Sequence, residues 1–339
     1  MASLREIKDH IGSVRSTLKI TSAMKLVSSA KLRKAQQTAE GVRPYTEALA
    51  GMLSRVLASP SASGKGPGRV PQGEPGPGIA TPTEPAHAST AVRAKTAIVA
   101  VASNSSLCGA FNVNVVKRTL DEVAAFRKEG AEVEVIPVGR KMAEAMRKAG
   151  MPARADYSDL IGHCDFEKAA AFAQTLIDSY NSGRYSRIIF IYNHFVSTST
   201  QRVQVETYLP FIEGGGGSSP FFRPSAGADP SQPGGWAPPV TATGGYGSKR
   251  DSAPAASDFI LEPSREEILA TLLPQVMRLR VYTVLMDSIA AEHAARMIAM
   301  QTATDNAEDL LGELTLEYNK GRQQKITSEI LDLVGGAQQ

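Results

Sequence analysis

The sequence predicts an α/β protein: a long antiparallel coiled coil of N- and C-terminal helices plus a central Rossmann-like α/β domain. Three observations carry this reading. Apolar residues recur at alternating spacings of three and four in both terminal segments, as in a coiled-coil seam. Between those segments, short apolar runs alternate with helical stretches, the texture of βαβ units. Glycine and proline gather in two stretches and leave the rest of the chain nearly free of breakers.

The first segment, residues 3–57, reads as one helix with Leu4, Ile7, Ile11, Val14 and Leu18 on its seam. The next seam positions, Thr21 and Lys25, are polar, while apolar residues move to Ile20, Met24 and Val27. A slip is therefore expected within KITSAMKLVSSAKLRKAQ, with a local change of supercoiling. A helix of this length extends about 80 Å, too far for a small globular domain to enclose.

The middle of the chain predicts a strand at 96–102 (TAIVAVA), a helix at 111–129, a strand at 133–138 (VEVIPV) and a short helix at 139–149. A helix at 165–182, a strand at 187–192 (RIIFIY) and an added strand at 196–209 that can run antiparallel complete a mainly parallel sheet. In the C-terminal segment the three–four ladder holds from Leu269 to Tyr318, interrupted only by Thr283, His293 and Thr304, and fails at Gly321 and Lys325. Pro274 is expected to kink its start, since it lacks an N–H and its ring clashes with the preceding turn. The helix over 264–334 would be about 105 Å long, and its many alanines admit a close neighbour. Two such helices at opposite ends of one chain suggest that they pair with each other.

Residues 60–85 hold 7 Pro and 6 Gly, and residues 214–257 hold 10 Gly and 7 Pro. Such stretches bury too little apolar surface to fold alone. The organisation predicted is thus 1–59, an N-terminal coiled-coil helix; 60–93, an insertion; 94–212, the central domain; 213–258, a second insertion; and 259–339, the C-terminal helix. The 339 residues include 37 Lys+Arg, 34 Asp+Glu and two cysteines, too few for a disulfide framework. The longest apolar run, around Ala97–Ala102, is far short of the roughly 20 residues that span a bilayer. The start, MASLREIKDHIGSV, carries no hydrophobic signal core. The expectation is a soluble protein of a reducing compartment, with no bilayer span of its own.

No catalytic, cofactor-binding or metal site is expected. The loop after the first strand, SNSSLCGAFN (103–112), has one glycine, Gly109, where a dinucleotide fingerprint needs several, and no phosphate-cradling loop occurs. Cys108 reads as a small buried thiol, and the histidines at 10, 87, 163, 194 and 293 lack ligand spacing, even beside Cys164 and Asp165. His293, on the seam, is expected to pack or to face a partner. Residues 1–57 carry ten Lys/Arg against four Asp/Glu. Nucleic acid, an acidic protein surface or plain solvent could each face that helix.

Several segments together resemble the gamma subunit of F-type ATP synthases: IKDHIGSVRSTLKITSAMKLVSSAKLRKAQ (7–36), SLCGAFN (106–112), FVSTSTQ (195–201), LEPSREEIL (261–269) and EHAARMIAMQTATDNAEDLLGELTLEYNKGRQQKITSEILDLVGGA (292–337). The resemblance implies a non-catalytic rotor: a coiled-coil shaft inside a ring of alpha and beta subunits, transmitting rotation of the membrane c-ring to the catalytic beta sites during ATP synthesis or hydrolysis. It implies no cofactor and no nucleic acid, and as partners the alpha and beta subunits, the epsilon subunit and the c-ring. By the same resemblance Thr21, Met24, Lys25, Arg296, Gln323, Thr327 and Glu329 would touch beta subunits, while Leu261 and Glu262 would meet the c-ring. The location implied is the cytoplasmic face of a bacterial inner membrane, peripherally. The two insertions lie outside the resemblance. A small-molecule-binding α/β domain with a coiled-coil arm is the alternative.

Overall fold

Helix α1 (Leu4–Ala58) and helix α6 (Arg265–Gly336) frame a four-stranded sheet in a computed structural model. The structure describes residues 3–58, 95–152, 154–162, 164–210, 262 and 264–336. Both insertions, His163 and Leu261 lie outside the described residues.

The sheet order is β2-β1-β3-β4, with β1 (Lys95–Val101), β2 (Glu132–Val138), β3 (Arg187–Phe195) and β4 (Gln201–Leu209). β1 pairs in parallel with β2, Lys95 opposite Glu132 through Val101 opposite Val138, and in parallel with β3, Thr96 opposite Arg187. β4 returns antiparallel to β3, with Phe195 opposite Gln201 and Phe190 opposite Glu206. β3 runs three residues beyond the expected RIIFIY, because Asn193 to Phe195 keep their ladder to β4, and the residues 196–200 form the turn rather than the start of a strand. Pro137, which cannot donate to a ladder, sits on β2, an edge strand.

Alternation of side chains sorts the sheet into two covered faces. Ile98, Ala100, Ile189 and Ile191 meet Val115 and Val123 of α2 (Phe111–Lys128) and Met142 and Met146 of α3 (Arg140–Lys148). On the opposite face Val99, Val101, Phe190 and Tyr192 meet Phe172 and Leu176 of α5 (Phe166–Asn181) together with Leu279 and Leu285 of α6. The short α4 (Asp159–Gly162) adds Leu160 and Ile161 to this second core. Each fully buried side chain of this size contributes roughly 1.5–3 kcal/mol.

α1 and α6 run antiparallel. Ile7 and Val14 pack with Ala307 and Leu314 at one end, and the Arg265 Nε donates to the Val56 carbonyl at the other. The expected slip in the α1 seam does not occur. Buried or half-buried positions continue as Leu18, Thr21, Lys25, Ser28, Leu32 and Ala35, keeping the three–four alternation, while Ile20, Leu26 and Val27 are 60%, 69% and 56% exposed. The seam stays in register and simply turns polar, because geometry rather than local hydropathy decides which residues face α6. α6 is continuous through Pro274, as α1 is through Pro44. One window of α6 is apolar enough by length and composition to cross a membrane. Its surroundings explain that composition: between Val276 and Ala294 it is wedged between α1 and the sheet, with Val281, Leu285, Ala291 and Ala294 wholly buried.

Beyond the domain, among the described residues, α6 pairs only with α1. That pairing ends where the Leu4 side chain lies 3.0 Å from the place a Cβ of Gly321 would occupy. From Arg322 to Leu331 every residue is exposed.

Candidate partner surfaces and the joint between the terminal helices and the domain

The crevice beyond the carboxyl ends of parallel strands is where open α/β sheets bind ligands. Here that place is filled by α6. Cys108 and Phe111, from the loop after β1 and the start of α2, pack on Ala291 and Ala295 of α6, and a Cβ placed on Gly109 would lie 3.9 Å from the Ala299 Cβ. The Arg296 Nη2 donates to the Ser105 Oγ at 2.7 Å and pairs with Glu292 at 2.8 Å. Asn112 accepts from the Ser103 N–H at 3.0 Å and donates to the Cys108 Sγ at 3.2 Å, so the loop's polar groups are spent on holding its own shape. Cys108 is a buried thiol, as its sequence context suggested. Cys164 is half-buried, and burial pushes its thiol up to about 12. Among the described residues no cluster of three or more His, Cys, Asp or Glu could hold a metal ion.

Polar ties from three elements, α5, β3 and β4, reach α6 along its buried stretch. The Tyr208 hydroxyl donates to the Met277 carbonyl at 3.2 Å, and the Arg278 Nη2 donates to the Gln174 Oε1 at 2.7 Å. Arg280 pairs with Glu206, its Nε at 2.8 Å from Oε1, and the Tyr192 hydroxyl donates to the other carboxylate oxygen at 3.3 Å. Asp287 takes two donors from the end of β3: the His194 Nδ1 at 2.5 Å on one oxygen and the Phe195 N–H at 3.0 Å on the other. The hydrogen bond to Asp287, first of all, raises the His194 pKa above 6.5 against the opposing effect of burial. Sequence reasoning did not find these ties. One signal was available: Asp287 is the sole charged residue between Arg280 and Glu292, in a largely apolar stretch, and a lone charge there needs a partner.

The residues that resemblance marked as partner contacts fall into three groups. Thr21 and Arg296 are each 8% exposed and bonded within the chain, Thr21 to Thr304 and Arg296 to Glu292 and Ser105. Met24 and Lys25 are half-exposed on α1, beside the uncovered Ile20 and Val27. Gln323, Thr327 and Glu329 are exposed on the end of α6 beyond its pairing with α1, where Thr327 donates to the Gln323 carbonyl and Lys325 lies 3.9 Å from Glu329. Glu262 is exposed just before α6. His293 is half-buried, its Nδ1 buried without a hydrogen-bond partner among the described residues. Burial, with Arg296 and Lys31 nearby, lowers its pKa to about 4.

A family model described as ATP synthase matches residues 3–339. The ATP synthase gamma chain of Bacteroides thetaiotaomicron is 38% identical over 345 residues, covering 100% of each chain. That of Flavobacterium johnsoniae is 37% identical over 338 residues, covering 100% of this chain and 99% of its own. Among solved structures, the rotor of the Euglena gracilis mitochondrial ATP synthase in rotational state 1 shares the fold with a TM-score of 0.55 at 18% identity, over 95% of this chain and 98% of that one. A chain of the OSCP, F1 and c-ring assembly of the same enzyme in rotational state 3 matches with a TM-score of 0.55 at 18% identity, over 99% of this chain and 93% of that one.

Proposed function

The chain belongs to the ATP synthase gamma-chain family, as its non-catalytic central-stalk subunit, and from that premise we propose how its surfaces are used. The paired helices enter a ring of alpha and beta subunits with the bare end of α6 leading. The central domain stands at the other end, beside an epsilon subunit and on the c-ring, with Leu261 and Glu262 at that contact. Rotation of the c-ring turns the whole chain. Its asymmetric sides then favour different conformations of successive beta subunits, which is coupling by differential contact.

The observation that carries this reading is the division of surface along the terminal helices. Everything between Val276 and Ala294 is committed to internal packing, whereas the end of α6 and the outer face of α1 are bare. Gln323, Thr327 and Glu329 are therefore the strongest candidates for beta contacts, with Met24 and Lys25, half-exposed at the edge of the α1 seam, next. Thr21 and Arg296 act on partners through the shape they give the helix pair. Bacterial relatives support a peripheral place on the cytoplasmic face of the inner membrane.

Reconstitution tests the reading. The purified chain alone should not hydrolyse ATP, and a stable, active assembly with its own alpha and beta subunits should require it. Removing residues 322–339 should leave the central domain folded while weakening coupled proton pumping. Normal pumping by the truncated complex would count against the proposed contacts. Reversing the charge of Lys25 should impair coupling more than reversing that of Lys128 on α2, and equal effects would remove Lys25 from the contact.

A further inference from the structure

We propose that the β3–β4 hairpin fixes the rotary position of α6 on the central domain, with His194, Asp287, Glu206 and Arg280 as the positioning residues. This inference rests on the stalk reading above, since a fixed rotary position matters only if the chain carries torque. Arg280 and Asp287 are seven residues apart, two helical turns, so they lie on one face of α6 about 10 Å apart along its axis. Their partners lie on the two arms of one hairpin, Glu206 on β4 and His194 on β3. His194 shares its sheet face with Phe190 and Tyr192, and Glu206 shares its face with Tyr208. Both partners therefore point toward α6 by the alternation of the strands.

The polarity of the two ties alternates. α6 offers a cation and then an anion, and the hairpin answers with a carboxylate and then an imidazole. Sliding α6 by one heptad would bring Asp287 to Glu206, two like charges. Turning it by one residue, about 100° of helix rotation, would carry both partners off the face. The apolar packing around them cannot do this work alone. Val281, Leu285, Ala290, Ala291 and Ala294 attract without direction and are mostly small. Charge-assisted hydrogen bonds are directional and about twice as strong as neutral ones. Asp287 is also held at two points, by a side chain and by the Phe195 backbone, and β3 is itself paired on both sides. Torque arriving at the sheet thus meets α6 through contacts that resist twisting.

The test measures protons pumped per ATP hydrolysed in membrane vesicles carrying the complete synthase. Asp287→Ala and His194→Ala are expected to lower this ratio about twofold or more, while His194→Lys, which keeps a cation opposite Asp287, brings it back toward the wild-type value. If Asp287→Ala does not assemble, His194→Ala decides, because Asp287 then retains its backbone donor. An unchanged ratio in the assembled alanine variants overturns the proposal. So does a lowered ratio that His194→Lys leaves where it was, and so does a failure of both alanine variants to assemble that His194→Lys does not relieve. Absence of coupled pumping with the wild-type chain would instead count against the stalk reading itself.

Discussion

Thr304 donates its hydroxyl hydrogen to the Thr21 hydroxyl across the two long helices at 2.9 Å, and Thr21 passes its own to the Leu18 carbonyl at 3.1 Å. Both side chains are buried, in the stretch of the seam where Lys25 and Ser28 are polar too. Each hydroxyl also has a carbonyl of its own helix within reach, Leu18 for Thr21 and Met300 at 2.8 Å for Thr304, so the contact across the seam adds one directional bond that favours this alignment without either group depending on it for a partner. Polar seam residues of this kind specify register rather than add stability.

Replacing both threonines by valine is therefore expected to change the unfolding free energy by less than about 1 kcal/mol, because both partners leave together. Thr21→Lys alone should lower it by about 3 kcal/mol or more, by burying an unpaired charge. Urea unfolding of the purified chain compares the two. A costly double variant would show that the hydroxyls do more than align the helices.

Arg296→Ala should be among the most damaging single changes in the chain. It leaves Glu292, 6% exposed, as a buried carboxylate without its cation, a loss of about 3–5 kcal/mol for a broken buried pair. Burial already raises the Glu292 pKa against the pull of Arg296. Ser105→Ala, which removes only the neutral acceptor of the same arginine, should cost about 1–2 kcal/mol. Equal costs for the two, read from urea midpoints, would contradict the paired assignment.

His194 makes stability depend on pH from about 6.5 upward. Its folded pKa is raised by Asp287, so the folded chain holds a proton that the unfolded chain releases from about 6.5 upward. The contribution is full below that value and is lost as pH rises through the raised pKa. Glu206 strengthens the effect; Arg280 and Tyr192 are bonded to Glu206, and Arg202 lies opposite His194 on β4. Asp287→Asn should flatten the alkaline decline in a series of urea midpoints, and an unaltered slope would assign the decline to other groups.

His293 acts in the opposite direction. Its folded pKa is lowered to about 4, so the unfolded chain takes up the proton first as pH falls. Stability from this residue is present above about 6.5 and is lost as pH falls toward about 4. His293→Leu, suited to a seam position, should shift acid unfolding to lower pH. Circular dichroism along an acid titration would show it, and an unmoved midpoint would mean that carboxylates alone set the acid limit.

Much of this architecture was legible because periodicity is a local property. The seam of α6 from Leu269 to Tyr318 and the run TAIVAVA needed no knowledge of the rest of the chain, and both lie where expected. Judgements that depended on the partner surface were less secure. Ile20 and Val27 looked like the continuation of the α1 seam because they are apolar, yet Thr21 and Ser28 face α6. Burial follows the angle around the helix, and a polar residue is carried inside when its neighbour across the seam can bond it or is small enough to admit it. Arg296 shows the same limit for the candidate contacts. The resemblance gave Arg296 an outward role, although Glu292 one turn before it already offered an internal partner. The ties to Glu206 and Asp287 join residues 74 and 93 positions apart, and at such separations sequence patterning can flag a lone charge but cannot name its partner.

The place where Leu4 meets Gly321 has a mechanical meaning. Two rods fastened side by side resist bending more than twice as strongly as one, because each is held away from the line about which the pair would flex. From Gly321 toward the domain the chain is such a composite, clamped at its base by the sheet. Past that point, among the described residues, it is a single rod. Flexural rigidity therefore falls in one step, and a sideways load on the bare end bends the molecule there first, leaving the body behind it nearly straight. The last turns of α6 are the compliant tip of an otherwise stiff beam.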